Sequence, residues 1–240
     1  MIDIHCHLLP RVDDGPQSLQ ASIDLAWAAV EDGVTHAVVT PHVYPGRFNN
    51  TRSSIELCCR RYVDLLKLKN VPLRISFGGE VRLDADLPLL IERDEIPFLG
   101  VSQGFKTMLL EFPDAQIPLG ADRLVRVLLS RGIRPLIAHP ERNKSVMENP
   151  ERIRSFVDAG CALQITAGSI LGQFGPRALA ASEYMLSESL VSAIASDAHN
   201  LDGRRYRLKE ARQALVSRYG EALAVQLTEL GPASLCGLDV

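Results

Sequence analysis

The sequence predicts a single α/β domain built on a barrel-like parallel sheet. Three observations carry this. Short β-branched or apolar runs alternate with longer helical patterns along the chain, and repeated βα units imply a parallel sheet. Seven such units fit into the 240 residues. No glycine-rich dinucleotide fingerprint follows the first strand, which favours a barrel over a doubly wound sheet. With 46% hydrophobic residues the chain can bury a large core, and no internal repeat, low-complexity segment or linker divides it. One domain over residues 1–240 is the economical reading.

Strands are expected at about 2–6, 35–40, 73–80, 107–112, 135–139, 162–166 and 192–196. Helical patterns fall between them, at 18–32, 51–69, 120–131, 150–159, 176–189 and 204–219. The segment 81–106 and the loop 43–50 are irregular, and loops of that length often serve a site. Cys58-Cys59 on the 51–69 helix reads first as helix packing, with a subunit-facing surface of an oligomer as the alternative.

Several function classes are excluded early. The longest apolar runs, such as Leu190 to Ala195, are far short of a membrane span. The opening Met-Ile-Asp-Ile-His lacks the basic and hydrophobic regions of a signal peptide. Five irregularly placed cysteines (Cys6, Cys58, Cys59, Cys161, Cys236) form no disulfide framework, so a reducing cytoplasm is expected. A net charge of −3 argues against a nucleic-acid surface, so an anionic ligand must be held by a local site.

Active sites of α/β barrels sit at the C-terminal strand ends. Read in order, those ends give His5 and His7, then His42, Glu80, Glu111, His139, and Asp197 with His199. Only the sixth strand ends without a strong ligand type, at Gln164 and Thr166, and only His36 of the six histidines lies outside the set. A lone histidine is usually structural; five at successive strand ends, interleaved with three carboxylates, point to a metal centre. Strand alternation turns His5 and His7 inward and Cys6 toward the helices, with Asp3 deeper on the inward face. The Val12-Asp13-Asp14-Gly15 loop adds two carboxylates, of which Asp14 is preferred as a ligand over a turn or capping role. Imidazole and carboxylate without thiolate suit Mn, Fe or Zn. About nine ligands are too many for one ion, so two or three ions are expected, bridged by a carboxylate such as Glu80. Such clusters activate water and clamp a transferring phosphoryl group. Arg142 and Arg204 follow His139 and His199 on loops leaving ligand-bearing ends, where a guanidinium binds phosphate oxygens in bidentate fashion. Arg204 is also expected at a helix start, an anion-favouring position.

The motifs Met-Ile-Asp-Ile-His-Cys-His, Val-Asp-Asp-Gly at 12–15, Thr-Pro-His at 40–42, Gly-Glu-Val-Arg at 79–82, Leu-Glu-Phe-Pro at 110–113, Ile-Ala-His-Pro-Glu-Arg-Asn at 137–143 and Ala-Ser-Asp-Ala-His-Asn at 195–200 run in order through nearly the whole chain. They resemble the PHP (polymerase and histidinol phosphatase) superfamily, and within it the bacterial protein-tyrosine phosphatases of capsule and exopolysaccharide loci. The resemblance implies a distorted (β/α)7 TIM-like barrel and a trinuclear site, usually manganese. It implies as substrate the phosphotyrosines of a bacterial tyrosine kinase that controls polysaccharide export. Carried over by motif, the ligands are His5, His7, Asp14, His42, Glu80, Glu111, His139, Asp197 and His199, and the phosphate-binding residues are Arg142 and Arg204. One departure is visible: Val43 stands where many relatives have a second histidine, opening the loop 43–50, in which Tyr44 and Arg47 are assigned to the substrate.

The mechanism then expected is attack of a metal-bound hydroxide on phosphotyrosine. A phenolate of pKa about 10 leaves without a dedicated acid; Asp13 is the one candidate general acid. A cysteine phosphatase would need arginine six residues after the nucleophile, and Val12, Asp64, Leu65 and Ala167 stand six after Cys6, Cys58, Cys59 and Cys161. An amidohydrolase would place a lysine where Glu80 and Glu111 stand. A small-molecule phosphomonoesterase such as histidinol phosphatase shares every ligand, and a kinase-binding regulator with an idle site is the non-enzymatic alternative.

Overall fold

A computed structural model describes residues 1–239. Its strands are β1 (Ile2–Cys6), β2 (His36–Val39), β3 (His42–Val43), β4 (Arg74–Phe77), β5 (Glu80–Arg82), β6 (Gly100–Ser102), β7 (Phe105–Glu111), β8 (Ile133–Ala138), β9 (Ala162–Thr166) and β10 (Ala193–Ala195). They form two sheets, β1-β2-β4 and β10-β9-β8-β7-β5-β3, parallel throughout except for β6, which pairs antiparallel with β7. The helices are α1 (Leu19–Glu31), α2 (Arg52–Leu68), α3 (Leu87–Glu92), α4 (Ala121–Ser130), α5 (Lys144–Glu148), α6 (Arg154–Ala159), α7 (Ala167–Ile170), α8 (Pro176–Ser187), α9 (Leu208–Tyr219), α10 (Glu221–Val225) and α11 (Gly231–Cys236).

Two expected strands are interrupted. The 35–40 run ends as β2 at Val39 and a further strand, β3, follows beyond Thr40-Pro41, while 73–80 becomes β4 and the start of β5 across Gly78-Gly79. Pro41 has no N–H to give to a ladder. A Cβ at Gly78 would come within 2.4 Å of Leu99 Cδ2, and one at Gly79 equally close to Pro97 Cγ, so the 97–99 segment presses on bare backbone there. The ladder resumes beyond the break: Gly78 N donates to Val39 O and Glu80 N to Pro41 O. The two sheets also meet at their other ends, where Asp197 N donates to His5 O and His7 N to Ala198 O. Those bonds bring the first and last ligand-bearing segments side by side.

Local capping fixes the helices that follow the strands. Ser18 accepts from Ala21 N at the start of α1, and Thr51 and Ser54 form a reciprocal capping box on α2. The expected 204–219 helix starts later, at Leu208, because Asp32 accepts from Leu208 N at 2.6 Å and Lys209 N at 3.2 Å. Arg204 therefore lies in a loop before the helix, and that helix end is already satisfied by a carboxylate. The 150–159 helix opens as a 3₁₀ turn, with Pro150 in its first turn and Asn149 capping it. The irregular 81–106 segment contains α3 and the β6 edge, and residues 221–236 are helical, which the sequence reading left unassigned.

Two apolar clusters result. The larger lies between strands and helices and includes Cys6, Leu25, Val39, Leu110, Ile137 and Ile165. The smaller lines the inner face of the strands: Ile2, Ile4, Val38, Leu109, Leu136, Ala138, Ala193 and Ala195, closed below by Ala233, Leu235 and Cys236 of α11. Ile4 and Cys6 belong to different clusters, although strict alternation would put them on one face. The register of β1 against β2 shifts between Asp3 and Cys6, and this bulge changes the parity. It corrects one expectation. Residues beyond the bulge face as alternation predicts, but Asp3 faces outward, where its carboxylate accepts from Ser196 N at 3.0 Å and from Ser196 Oγ at 2.6 Å.

Candidate metal centre

The inner face of the strands changes from apolar to polar within two residues. Leu109 leads to Glu111, Ala138 to His139, and Ala195 to Asp197. The smaller apolar cluster thus floors a ring of imidazoles and carboxylates at the strand ends. His139 and Asp197 occupy left-handed backbone conformations, with φ of 30° and 51°. Non-glycine residues hold such angles only where their surroundings over-determine them, and such strain concentrates at functional sites.

Eight of the nine expected ligands fall into three overlapping groups: His7, Asp14, His42 and His199; His5, His7, Glu80 and Asp197; His42, Glu80 and Glu111. Within each group the ligand atoms all lie within 4.8 Å of one another. His139 is outside these groups, but its Nε2 is 2.7 Å from Glu80 Oε1. Glu80 is therefore the shared carboxylate: its Oε2 lies 3.2 Å from His5 Nε2, 3.4 Å from His7 Nε2 and 2.9 Å from His42 Nδ1. Asp197 Oδ1 is 3.3 Å from His5 Nε2 and 3.4 Å from His7 Nε2. Asp14 Oδ1 approaches His42 Nε2 at 3.3 Å and His199 Nε2 at 3.2 Å.

The tautomers make this arrangement electron-rich. His7 Nδ1 is 2.6 Å from Asp13 Oδ2, and His199 Nδ1 is 3.0 Å from the Asp197 carbonyl. Both partners only accept, so each ring carries a proton on Nδ1 and Nε2 is the nitrogen left facing the cluster. Glu80 Oε2, Asp197 Oδ1 and His199 Nε2 are buried with no well-aligned hydrogen-bond partner among the described residues. Buried lone pairs without donors are costly, and cations satisfy them. The donor set is oxygen and imidazole without sulfur, and so fits divalent transition ions.

The charges are strongly coupled: against burial, the nearby carboxylates push His5, His7 and His42 up, His42 to about 10. Burial and the nearby Glu80 carboxylate push Glu111 up to about 7. Burial, reinforced by Arg142, holds His139 down at about 4, and burial with His7 does the same for His199, so both rings are neutral, the form that ligates. Burial alone would raise Glu80, yet the His5 and His42 rings hold it well below the usual carboxylate range.

The remaining expected residues separate clearly. Arg142 and Arg204 both reach Asp197 Oδ2, Arg204 at 2.6 Å, and both line the cleft above the cluster. That cleft, about 160 Å³, is also bordered by Tyr44, Arg47 and Phe48 of the 43–50 loop. Phe48 stacks on the His42 ring at 5.3 Å and 13°. Val43 is buried with the core and does not border the cleft, so the departure at this position affects packing under the loop. Asp13, the expected general acid, has its oxygens engaged by His7 Nδ1, by His42 N at 3.1 Å and by Gly15 N at 2.9 Å, and His7 holds its carboxyl below the usual carboxylate range against the effect of burial. It stands behind His7 as an orienting group. Cys6 lies on the helix side, and burial pushes its thiol well above the ordinary range.

Sequence reasoning missed Arg82, Asp114 and Glu141. Arg82 borders the cleft, pairs with Glu111 Oε1 at 2.9 Å and lies 5.3 Å over the Tyr44 ring. Asp114 borders the same cleft. Glu141 is fully buried and accepts from Thr166 N at 2.9 Å and Ser169 Oγ at 2.7 Å. Arg82 and Glu141 sit inside quoted motifs, but nothing in their spacing separates them from surface charges.

The sequence profile of the family described as capsular polysaccharide synthesis, CpsB/CapC, matches residues 1–236. The chain belongs to that family. Tyrosine-protein phosphatase YwqE of Bacillus subtilis is 35% identical over 229 residues, covering 95% of this chain and 89% of that protein. Tyrosine-protein phosphatase CpsB of Streptococcus pneumoniae is 31% identical over 236 residues, covering 95% and 94%. A crystal structure from work on YwqE and CpsB, described as unique metal-dependent tyrosine phosphatases, superposes with a TM-score of 0.91 at 34% identity, over 100% of this chain and 96% of that one. An organophosphorus hydrolase from Deinococcus radiodurans shares the fold alone, with a TM-score of 0.61 at 13% identity. No helix of the described residues is long and apolar enough to cross a membrane.

Proposed function

We propose that this CpsB/CapC member is a metal-dependent protein-tyrosine phosphatase that acts on phosphotyrosines of a bacterial tyrosine kinase controlling capsular or exopolysaccharide synthesis. The observation that carries this is the overlap of three ligand groups, joined through His7, His42 and Glu80, directly beneath a cleft bordered by Arg142 and Arg204. The names of the relatives supply the tyrosine and the polysaccharide.

His5, His7, Asp14, His42, Glu80, Glu111, His139, Asp197 and His199 would hold two to three divalent ions, manganese first and iron or zinc as alternatives. When bound, such ions supply Lewis acidity that makes water a nucleophile at neutral pH and offsets phosphoryl charge. The chain's own residues do the rest. Arg142 and Arg204 each spend one contact on Asp197 Oδ2 and have further N–H groups to present to phosphoryl oxygens in the cleft. Tyr44, Arg47 and Phe48 receive the aromatic ring and its flanking chain on the open side. No buried thiol takes part: burial pushes Cys59 up to about 11, and Cys161 and Cys236 up to about 12. All five cysteines are free, which supports a reducing, cytoplasmic setting.

The fold supports a finer reading too. The hydrogen bonds that carry the β2-β4 ladder on to β3-β5, and those from β1 to the residues after β10, support a distorted seven-stranded barrel of the PHP type, with a single domain spanning the chain. Turnover of a phosphotyrosine peptide, a phosphoserine peptide and histidinol phosphate by the Mn²⁺-loaded protein tests the substrate. Hydrolysis of phosphotyrosine well above the other two is expected; a preference for histidinol phosphate would overturn the protein substrate.

A further inference from the structure

Strand β9 contributes no ligand to the cluster, yet its inward residue Gln164 is fully buried at the cluster's edge. Its Oε1 lies 2.8 Å from His5 Nδ1. An amide oxygen only accepts, so this contact puts a proton on His5 Nδ1 and makes Nε2, between Glu80 Oε2 and Asp197 Oδ1, the nitrogen available to a cation. The opposite amide orientation would donate to Nδ1, put the proton on Nε2 and block ligation. The other end of the side chain sharpens the point. Gln164 Nε2 is buried without a hydrogen-bond partner, a cost that a residue present only to satisfy the strand interior would not carry. His7 is held in the same way, but by the carboxylate of Asp13. The two rings of one His-x-His motif thus have unlike supports: a charged acceptor behind His7 and a neutral one behind His5. A carboxylate partner raises the basicity of a ligating imidazole more than an amide does.

We propose that Gln164 is a positioning residue for metal binding: it selects the ligating tautomer of His5 and so sets the affinity of the ion that His5 shares with His7, Glu80 and Asp197. This rests on the metal-centre reading above.

The test uses chelator-stripped protein titrated with Mn²⁺, with ion number and affinity read by calorimetry and thermal unfolding of the stripped forms as the folding control. Gln164→Leu keeps the volume and loses the acceptor, and should weaken one class of ion by about 10–100-fold while leaving the rest unchanged. Gln164→Glu restores an acceptor, now charged, and should bind that ion at least as tightly as the wild type. The weakened ion should be the one lost in His5→Gln. Unchanged binding in Gln164→Leu, or equal weakening in both Gln164 variants, would overturn the role and leave the metal centre standing. A stripped wild type that binds no transition ion would instead overturn the metal centre itself.

Discussion

The inner and outer halves of the ligand cluster obey different physics. His5, His7, Glu80 and Asp197 are essentially inaccessible to solvent, and one polar atom each of His5, His7 and Asp197 is held by a partner outside the expected ligand set: Gln164, Asp13, and Arg142 with Arg204. Asp14 and His42, on the outer side, have side chains 40% and 14% exposed, and they border the cleft beside loop 43–50. Burial removes water as an alternative partner, so the inner half must be complete and exact in orientation; the outer half can exchange partners with solvent. The comparison teaches where sensitivity to substitution should lie.

The largest effects should come from the inner half. His7→Ala and Glu80→Ala should each lower kcat by several orders of magnitude and reduce bound transition metal, checked by turnover and elemental analysis. Chelation of the wild type should abolish activity and Mn²⁺ should restore it. Full activity in chelator, with no metal found, would end the distinction between the halves. Next come the arginines. Arg142→Ala and Arg204→Ala should each cost about 10²–10³-fold in kcat on both para-nitrophenyl phosphate and a phosphotyrosine peptide, with lysine rescuing only partly. Because both also hold Asp197, metal content measured in parallel separates phosphate binding from support of the cluster. Tyr44→Ala and Phe48→Ala should be milder, about 2–10-fold, the worth of one aromatic contact. They should slow the peptide reaction more than the small-substrate one, and equal losses would detach the loop from substrate binding. The smallest effect should be that of Cys6→Ser: thiol and ligands lie on opposite faces, so most turnover should survive, and thiol alkylation should likewise leave it intact.

What could be read in advance depended on whether a feature is local. The candidate ligand positions could be picked out because strand ends and ligand residue types coincide in sequence, and the structure brings eight of the nine side chains into mutually close groups. The facing of Cys6 was legible from alternation. Asp3 was not, because a bulge in β1 is set by pairing with β2, about 35 residues away. Arg204's helix was anticipated too early for a similar reason: Asp32, more than 170 residues upstream, decides where α9 begins. Asp13 looked like an acid because sequence gives its neighbours but not its hydrogen bonds, which turn it toward His7. Gln164 was visible only as a missing ligand; its use depends on a contact between β1 and β9.

The floor beneath the cluster has a consequence for biosynthesis. Helix α11 seals the inner face from below, so closely that a Cβ on Gly100 would meet Cys236 O at 1.9 Å, and Thr107 Oγ1 donates to Leu235 O. Strand β1 pairs with the backbone that follows β10, far later in the chain, where Asp197 N donates to His5 O. A nascent chain therefore cannot complete its interior until residues 233–236 have left the ribosome, and such long-range closure is slow. Until then Ile2, Ile4 and Leu109 stay open to solvent and to other chains, which makes the interval of translation, more than the finished protein, the period of greatest exposure to aggregation.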